Sequence, residues 1–215
     1  MTTKVSLVSY TRGARGESMK ELVEYCARVS NPQNQNKSVS VGKLWDYLQK
    51  HKHWSPFEMV SICLEINTSR AIGRQLLRHR SFSFQEFSQR YADPTDDLGF
   101  SFQQARTQDL SNRQNSHKTE DRSLMRFWES AQARVKDLAL ENYIQALSRG
   151  IAKEQARALL PEGLTNSRLY MNGTLRSWLH FIEVRTDVSA QEEIRQLAEE
   201  CSTIITNLIE GETNL

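Results

Sequence analysis

The stretch of residues 78–91 constrains the fold more than any other part of this chain. It reads Arg-His-Arg-Ser-Phe-Ser-Phe-Gln-Glu-Phe-Ser-Gln-Arg-Tyr, so cationic side chains are interleaved with phenylalanines. The phenylalanines favour burial, whereas a buried guanidinium needs a partner because an unpaired buried charge is costly. The fold must therefore bury this segment in part and still provide its arginines with compensating groups.

The cations of this stretch indicate an anion-binding site. Arg78, His79, Arg80 and Arg90 lie close together in sequence around one carboxylate, Glu86. Arginine presents a planar fork of donors that matches phosphate and other planar anions. The run taken alone is also compatible with a solvated surface or with a patch that binds nucleic acid.

Composition limits the class of protein and its partners. The chain has 215 residues, 38% of them hydrophobic and 25% charged, which is typical of a soluble globular protein. Its net charge of +2 is too small to indicate bulk binding of nucleic acid. No apolar run reaches membrane-spanning length, and the N-terminus does not resemble a signal peptide. We expect no membrane partner, no nucleic-acid partner and a cytoplasmic location.

Hydrophobic periodicity predicts an α+β fold: a single, mainly helical domain over residues 1–215 with a small antiparallel sheet. The segment 93–119 is polar with little periodicity and is predicted to be a long flexible excursion at a surface or an active-site rim. Predicted strands cover 4–10, 59–67 and 165–171, and predicted helices cover 19–27, 41–48, 69–78, 120–148, the residues before Pro161, 174–182 and 189–208.

Several local signals predict where elements begin and end. Ser55, Ser69, Thr174 and Ser189 are each predicted to cap the N-terminus of a helix. Asn172 and Gly173 form a dipeptide typical of a turn. Asn31 and Pro32 are predicted to end the first helix and to open a polar loop over 31–38. The helix of residues 120–148 carries regularly spaced apolar residues, so we expect it to belong to the core.

Other common catalytic templates do not fit this sequence. The chain has no glycine-rich loop with the spacing of a nucleotide-binding motif. His51, His53 and Glu58 do not follow the spacing of a known metal site, so no metal is expected. The three cysteines are widely separated and lie in apolar contexts, which is typical of core residues in a reducing compartment.

Four separate blocks resemble the flavin-dependent (alternative) thymidylate synthase family. They are His-Trp-Ser-Pro-Phe-Glu at 53–58, the arginine run with its serines at 78–91, Gln-Ala-Arg-Ala-Leu-Leu-Pro at 155–161, and Arg-Ser-Trp-Leu-His-Phe-Ile-Glu-Val-Arg with the following residues at 176–194. The blocks occur in the order of the family. The chain departs from it at Thr174 and Ser189, where many members have Asn and His.

The resemblance implies a thymidylate synthase-complementing type of fold and an enzyme that is both methyltransferase and oxidoreductase. Such an enzyme methylates dUMP to dTMP reductively, with methylenetetrahydrofolate as carbon donor, FAD as hydride carrier and NADPH as reductant. It uses no cysteine nucleophile. The family is usually a homotetramer whose subunits share active sites.

The resemblance also implies which residues act. Arg185 is expected to be catalytic because a permanent cation beside the pyrimidine would stabilise its ionised ring. Ser88 is a second catalytic candidate, as a weaker alternative to phosphate binding. The dUMP site is expected to comprise Gln75, Leu76, Leu77, Arg78, Glu86, Phe87, Ser88, Gln89, Arg90, Arg157 and Arg185, and the FAD site His53, Ser55, Arg78, His79, Arg80, Glu86, Thr174, Leu175, Arg176 and His180.

Two alternative functions remain compatible with the sequence. The arginines and aromatic residues of 78–91 suit a module that stacks on and neutralises single-stranded nucleic acid. A flavoprotein reductase without methyl transfer would need the flavin residues but would have no use for Arg157 and Arg185. A purified enzyme of this family should be yellow because it binds flavin, whereas a nucleic-acid-binding module should be colourless.

Overall fold

The computed structural model describes residues 4–35 and 42–211 as helices and strands joined by short connections. The helices are α1 (Met19–Ala27), α2 (Pro32–Gln35), α3 (Lys43–Lys50), α4 (Arg70–Leu76), α5 (Pro94–Asp97), α6 (Arg122–Ser148), α7 (Lys153–Ala156), α8 (Leu175–Arg185) and α9 (Glu192–Glu210). The strands are β1 (Lys4–Tyr10), β2 (Ser61–Ser69), β3 (Ser83–Glu86), β4 (Arg106–Gln108), β5 (Ser116–Lys118) and β6 (Asn166–Thr174). Short 3₁₀ helices occupy Arg28–Ser30, Ser55–Met59 and Arg157–Leu159.

An antiparallel sheet with strand order β1-β2-β6-β3 forms the centre of the fold. Its middle strands pair along their whole length, from Ser61 opposite Thr174 to Ser69 opposite Asn166. Strands β4 and β5 form a separate antiparallel hairpin. The predicted fold class, mainly helical with a small antiparallel sheet, is confirmed. That residues 1–215 form one domain stays a prediction.

The core lies between one face of the sheet and helices α1, α8 and α9. Along β2 the side chains of Ile62, Leu64 and Ile66 are fully buried, which is the alternation expected of a strand with one face on a core. Helix α9 contacts α8, α1 and β1, so it closes the core opposite the sheet. Other fully buried core members are Val23, Phe57, Leu76, Leu169, Met171, Leu175, Trp178, Phe181, Ile194, Leu197 and Cys201.

Local capping chemistry is confirmed at two helices and wrong at two other places. The Ser69 and Thr174 hydroxyls accept hydrogen bonds from the backbones of their helices' first turns, as N-caps do. Ser55 is instead the first residue of a 3₁₀ helix that follows Trp54. Ser189 donates to Asp187, and α9 begins after Gln191. The Ser189 hydroxyl is therefore engaged by the carboxylate of Asp187, two residues earlier, in a local turn ahead of the helix.

The predicted turn at Asn172 and Gly173 is wrong because both residues lie inside β6. Gly173 pairs with Ile62, and a Cβ atom built on Gly173 would lie 2.4 Å from the ring of Phe82. The missing side chain therefore makes room for an aromatic ring against the sheet. Glycine in a strand often marks such a close approach, and the turn signal does not distinguish the two cases.

The polar loop predicted for 31–38 is partly helical, since α2 begins at Pro32. The remainder of that loop, and Val41 of the next predicted helix, lie outside the described residues.

In the excursion predicted for 93–119, α5 and the β4–β5 hairpin supply regular structure. Arg106 on the hairpin contacts both Glu192 and Glu193 at the start of α9. These paired charges, together with backbone hydrogen bonds between residues 99–101 and 164–166, attach this segment to the fold.

Helix α6 was predicted to be a core helix, and this is wrong. Only Gln132 and Tyr143 of its 27 residues are buried. Five of its large apolar residues are about half exposed or more, namely Met125 47%, Phe127 62%, Val135 51%, Leu138 63% and Ile144 54%. Helical spacing requires that an apolar face be covered, but it does not say by what. Within the described residues no helix is both long and apolar enough to cross a membrane.

Substitution of Gly173 tests the contact between β6 and Phe82. Gly173→Ala is expected to lower the free energy of unfolding by about 1 to 3 kcal/mol, because the new methyl group displaces a buried ring. The matched control is Gly163→Ala, where a Cβ meets nothing within 4 Å and the change should be small. Urea unfolding of both variants measures the difference. Equal stabilities would contradict the packing described for Phe82.

Candidate active site

An aromatic cluster supports the first part of the arginine run. Phe82 is 8% exposed and packs edge-on against Trp178, with ring centroids 4.8 Å apart. His79 packs edge-on against Phe181, with centroids 5.0 Å apart. Arg78 and Arg80 on either side of His79 are exposed. The predicted partial burial of this stretch is therefore confirmed: its aromatic rings face α8 while its flanking guanidiniums reach solvent.

The cluster brings His79 to Arg185, although 106 residues separate them in sequence. The Nε atom of Arg185, at the end of α8, donates a hydrogen bond of 2.9 Å to Nε2 of His79. Burial lowers the pKa of His79 to about 4, and electrostatic interaction with Arg185 and His180 adds to this effect. His79 is therefore neutral at physiological pH and able to accept this bond. Burial also lowers the pKa of Arg185, which remains a cation.

Glu86 is the centre of a network of cations. Its carboxylate accepts from Ser167 at 2.8 Å and contacts Arg70 at 3.4 Å and Arg74 at 3.5 Å. Burial lowers the pKa of Arg70, and the charge of Glu86 opposes that effect. Arg70 and Arg74 were not among the predicted site residues, although they stand one helical turn apart at the start of α4. Their i, i+4 spacing on a predicted helix places both guanidiniums on one helix face, and this pattern could have identified them from the sequence.

The residues predicted to bind the nucleotide phosphate lie along one rim. Arg90 forms an ion pair of 3.7 Å with Glu154 of α7, which places the Ser88–Arg90 turn beside that helix. Arg157 follows α7 directly, and its charge acts on Arg70. Ser88 is half-buried, and its hydroxyl accepts from the backbone N–H of Arg90. The fold thus brings the second and third sequence blocks together.

Other predicted nucleotide residues take different positions. Gln75 donates to the side-chain amide of Gln191 at 2.7 Å, so it lies against the start of α9. Phe87 and Leu77 are half-buried. Leu76, and Leu175 of the predicted flavin set, are fully buried core residues, and Gln89 is 4% exposed. The Leu175 N–H donates to the Val60 carbonyl and the Leu76 carbonyl accepts from the His79 N–H, so both leucines serve the fold.

Two of the residues predicted to bind flavin, Arg176 and His180, line a cavity of about 720 Å³ between α3, the 3₁₀ helix Ser55–Met59 and α8, whereas Glu86 lies with Arg70 and Arg74. Trp54, Arg176 and His180 line it, and Arg176 forms an ion pair with Glu58. His53 and Ser55, in the connection beside Trp54, are exposed. The lining is of mixed charge, because Glu58 and Glu183 line the cavity together with Lys52 and Arg176. Trp54 offers an aromatic surface to a planar cofactor, and the volume lies in the range of ligand pockets. Thr174, in contrast, uses its hydroxyl to cap α8.

A second cavity, of about 590 Å³, has the opposite electrostatic character. It lies between the segment 101–106 and α9, and Glu192, Glu193, Glu199 and Glu200 are among its lining residues. Arg106 is the one cation among those lining residues. An acidic lining disfavours phosphate, so this cavity does not suit a nucleotide or FAD. Among the described residues, no group of three or more His, Cys, Asp and Glu side chains is arranged to hold a metal ion.

The cysteines do not have the environment of activated nucleophiles. Burial raises the pKa of Cys26 and of Cys63. Cys201 is fully buried in α9, and burial raises its thiol pKa strongly. Nucleophilic thiols require a lowered pKa and a nearby base or cation. All three are therefore structural residues in this fold.

The fold and the cationic site define the class of the protein: an α+β enzyme whose small antiparallel sheet supports arginine-rich anion sites. The sequence matches the profile of the thymidylate synthase complementing protein family over residues 6–209. This chain therefore belongs to that family. The resemblance carried by the four sequence blocks is confirmed.

Individual relatives agree with this assignment. A flavin-dependent thymidylate synthase of Synechocystis sp. is 48% identical over 181 residues, covering 84% of this chain and 81% of the relative. A probable flavin-dependent thymidylate synthase of Paramecium bursaria Chlorella virus 1 is 46% identical, covering 86% and 84%. The structure is also similar to the UMP/dUMP methylase PolB of Streptomyces cacaoi bound with 5-Br dUMP, with a TM-score of 0.79 at 28% identity, covering 96% of this chain and 90% of PolB.

Thiol alkylation tests the cysteine environments. Because burial raises each thiol pKa, the thiolate forms only at higher pH, and alkylation should accelerate as the pH rises through the raised pKa. With iodoacetamide at pH 8, Cys26 and Cys63 are expected to react more slowly than free cysteine, and Cys201 only after unfolding. Mass spectrometry of a time course measures this. A cysteine alkylated faster than free cysteine at neutral pH would reveal an activated thiol.

Proposed function

We propose that this protein catalyses the reductive methylation of dUMP to dTMP, with methylenetetrahydrofolate as carbon donor, FAD as hydride carrier and NADPH as reductant. The names of the two relatives support flavin dependence and thymidylate synthesis. The PolB neighbour supports a pyrimidine nucleotide as substrate, since its structure holds 5-Br dUMP. The roles of FAD, NADPH and folate rest on the resemblance of the sequence blocks to the family.

Arg185 is the observation that carries this proposal. Its guanidinium is half-buried at the end of α8 and donates to a neutral imidazole, so its charge is not cancelled by that partner. A cation in such a position would stabilise negative charge on the pyrimidine ring beside N3 and O2. Uracil C5 would then become nucleophilic without addition of a thiol at C6, in keeping with the raised thiol pKa values.

Different groups of residues would hold the two ligands. The phosphate of dUMP would pair with Arg78, Arg90 and Arg157 and with the hydroxyl of Ser88, whose bonds position the substrate. Arg176, His180, His53 and Ser55 would hold FAD at the cavity beside Trp54, together with the arginines of residues 78–80. When bound, the flavin would supply the hydride, while the protein fixes its position and excludes water. Ser88 as a nucleophile is disfavoured because its hydroxyl accepts the backbone N–H of Arg90, and within the described part of the chain no base is seen to activate it.

We further propose that the protein is a cytoplasmic homotetramer with shared active sites. The half-exposed apolar residues of α6 support an oligomer, because an apolar helix face of this length is normally covered. A second copy of the chain is the simplest cover, since symmetric self-association buries one patch on both subunits. Sharing of sites would also supply groups that the nucleotide rim and the flavin cavity of one chain lack.

A bound flavin is the first expectation of the proposal. Freshly purified protein is expected to be yellow, with FAD released on denaturation and identified by its mass. Addition of dUMP should perturb the flavin spectrum, because the two ligands would lie together. Protein that is colourless, and stays so after mixing with FAD, would exclude the proposed reaction and favour the nucleic-acid-binding alternative.

The charge geometry of Arg185 gives a second expectation. Arg185→Lys keeps the charge but loses the planar fork, so dTMP formation should slow by about 10²- to 10³-fold, equivalent to roughly 3 to 4 kcal/mol in the barrier. Flavin reduction by NADPH should change much less, because that half-reaction needs no activated pyrimidine. Stopped-flow absorbance and single-turnover dTMP assays measure the two rates.

The matched control is Arg113→Lys, at an exposed arginine of the connection between β4 and β5. It should leave both rates unchanged. If Arg185→Lys slows the two half-reactions equally, or slows neither, the role assigned to Arg185 is wrong.

A further inference from the structure

The partner of Arg185 differs from those of Arg70 and Arg106, two other half-buried arginines of this chain. Arg70 contacts Glu86, and Arg106 contacts two glutamates of α9, so carboxylates compensate both of these guanidiniums. Arg185 instead donates to the imidazole of His79 at 2.9 Å. Among the described residues it forms no ion pair within 4.0 Å.

The surroundings of His79 favour the neutral imidazole. Phe82 and Phe181 present ring edges to it, at centroid distances of 6.4 and 5.0 Å. The charged or titratable groups that act on it are Arg185 and His180, and both oppose its protonation. Because Nε2 accepts a hydrogen bond, the ring proton must be on Nδ1. Protonation of Nε2 would break the hydrogen bond from Arg185 and would place two cations side by side.

We infer that His79 is a positioning residue for Arg185, beyond the flavin contact already proposed for it: it fixes the guanidinium through a neutral acceptor and so leaves its full positive charge for an anionic pyrimidine. This inference rests on the proposed function. The bond engages Nε only, so both Nη groups of Arg185 remain to form a planar fork toward N3 and O2. A carboxylate at position 79 would orient the arginine equally well but would neutralise it.

A substitution series separates orientation from charge. His79→Gln offers a neutral carbonyl oxygen near the position of Nε2. His79→Glu offers a similar reach but a negative charge. His79→Leu fills space without an acceptor. We expect single-turnover dTMP formation to fall less than about tenfold for Gln and by about 10²-fold or more for Glu and Leu.

Several readouts exclude a merely structural effect. Each variant is compared at equal FAD content, measured by absorbance, and after a check of folding by urea unfolding. Flavin reduction by NADPH should be similar in the Gln and Glu variants. The loss in His79→Glu should fall on kcat more than on the KM for dUMP, because the charge of Arg185 is required mainly when the pyrimidine ionises.

A spectroscopic test of the pair needs neither flavin nor substrate. In flavin-free protein with ¹⁵N-labelled histidine, Nε2 of His79 should have the chemical shift of an unprotonated nitrogen and Nδ1 that of a protonated one. The pKa of His79, about 4 in the unaltered chain, should rise in Arg185→Met because a neighbouring cation is removed.

The outcomes distinguish this inference from the proposed function. Equal dTMP formation by His79→Glu and His79→Gln would overturn the charge argument while the proposed function stands. A protonated Nε2, or a pKa unaffected by Arg185→Met, would overturn the pairing itself. An unaltered protein that binds FAD but forms no dTMP from dUMP would overturn the proposed function, whereas the NMR measurement would still decide whether His79 holds Arg185.

Discussion

The antiparallel pairing of β2 with β6 is the interaction on which the rest of the structure depends. Its register places the buried residues of both strands on the core face, from Ser61 opposite Thr174 to Ser69 opposite Asn166. A shift by one residue would turn every one of these side chains to the other face. The same pairing ends at the first residues of α4 and α8, because Ser69 closes β2 and caps α4, and Thr174 closes β6 and caps α8. Two helices that carry part of the candidate site therefore begin at opposite ends of one strand pair.

The arginines of this chain differ in the charge of their partners. Glu192 and Glu193 neutralise Arg106, which attaches one segment to another. Arg90 and Arg176, which are proposed to hold ligands, also pair with carboxylates, whereas Arg185 has a neutral partner in His79. The same residue type thus serves as a structural cross-link in one place and as an uncompensated cation in another. The difference lies in the partner and not in the arginine.

The sequence predicted structure correctly where residues close together in the chain determine it. Strand β1 was predicted with the bounds that it has, and the caps of α4 and α8 follow from Ser69 and Thr174. It failed where the outcome depends on distant partners. Gly173 was predicted to lie in a turn because nothing near it in sequence indicates its contact with Phe82. Helix α6 was predicted to lie in the core because its apolar residues recur at helical spacing, but the rest of the described chain leaves many of them exposed. Ser189 reads as a cap, but Asp187 two residues earlier is a closer partner for its hydroxyl.

For the candidate site, the sequence by itself determined the residue types and their family: the four blocks carry the arginines, histidines and serines that anion chemistry needs, and residues 6–209 match the family profile. Only the tertiary structure decided which of them meet. It brought Arg185 to His79 across 106 residues, surrounded Glu86 with Arg70 and Arg74, and placed the Ser88–Arg90 turn beside α7. Residue chemistry is local and can be read along the chain. Pairing, burial and the resulting pKa of His79 depend on distances through space, which the register of the sheet and the packing of α8 set.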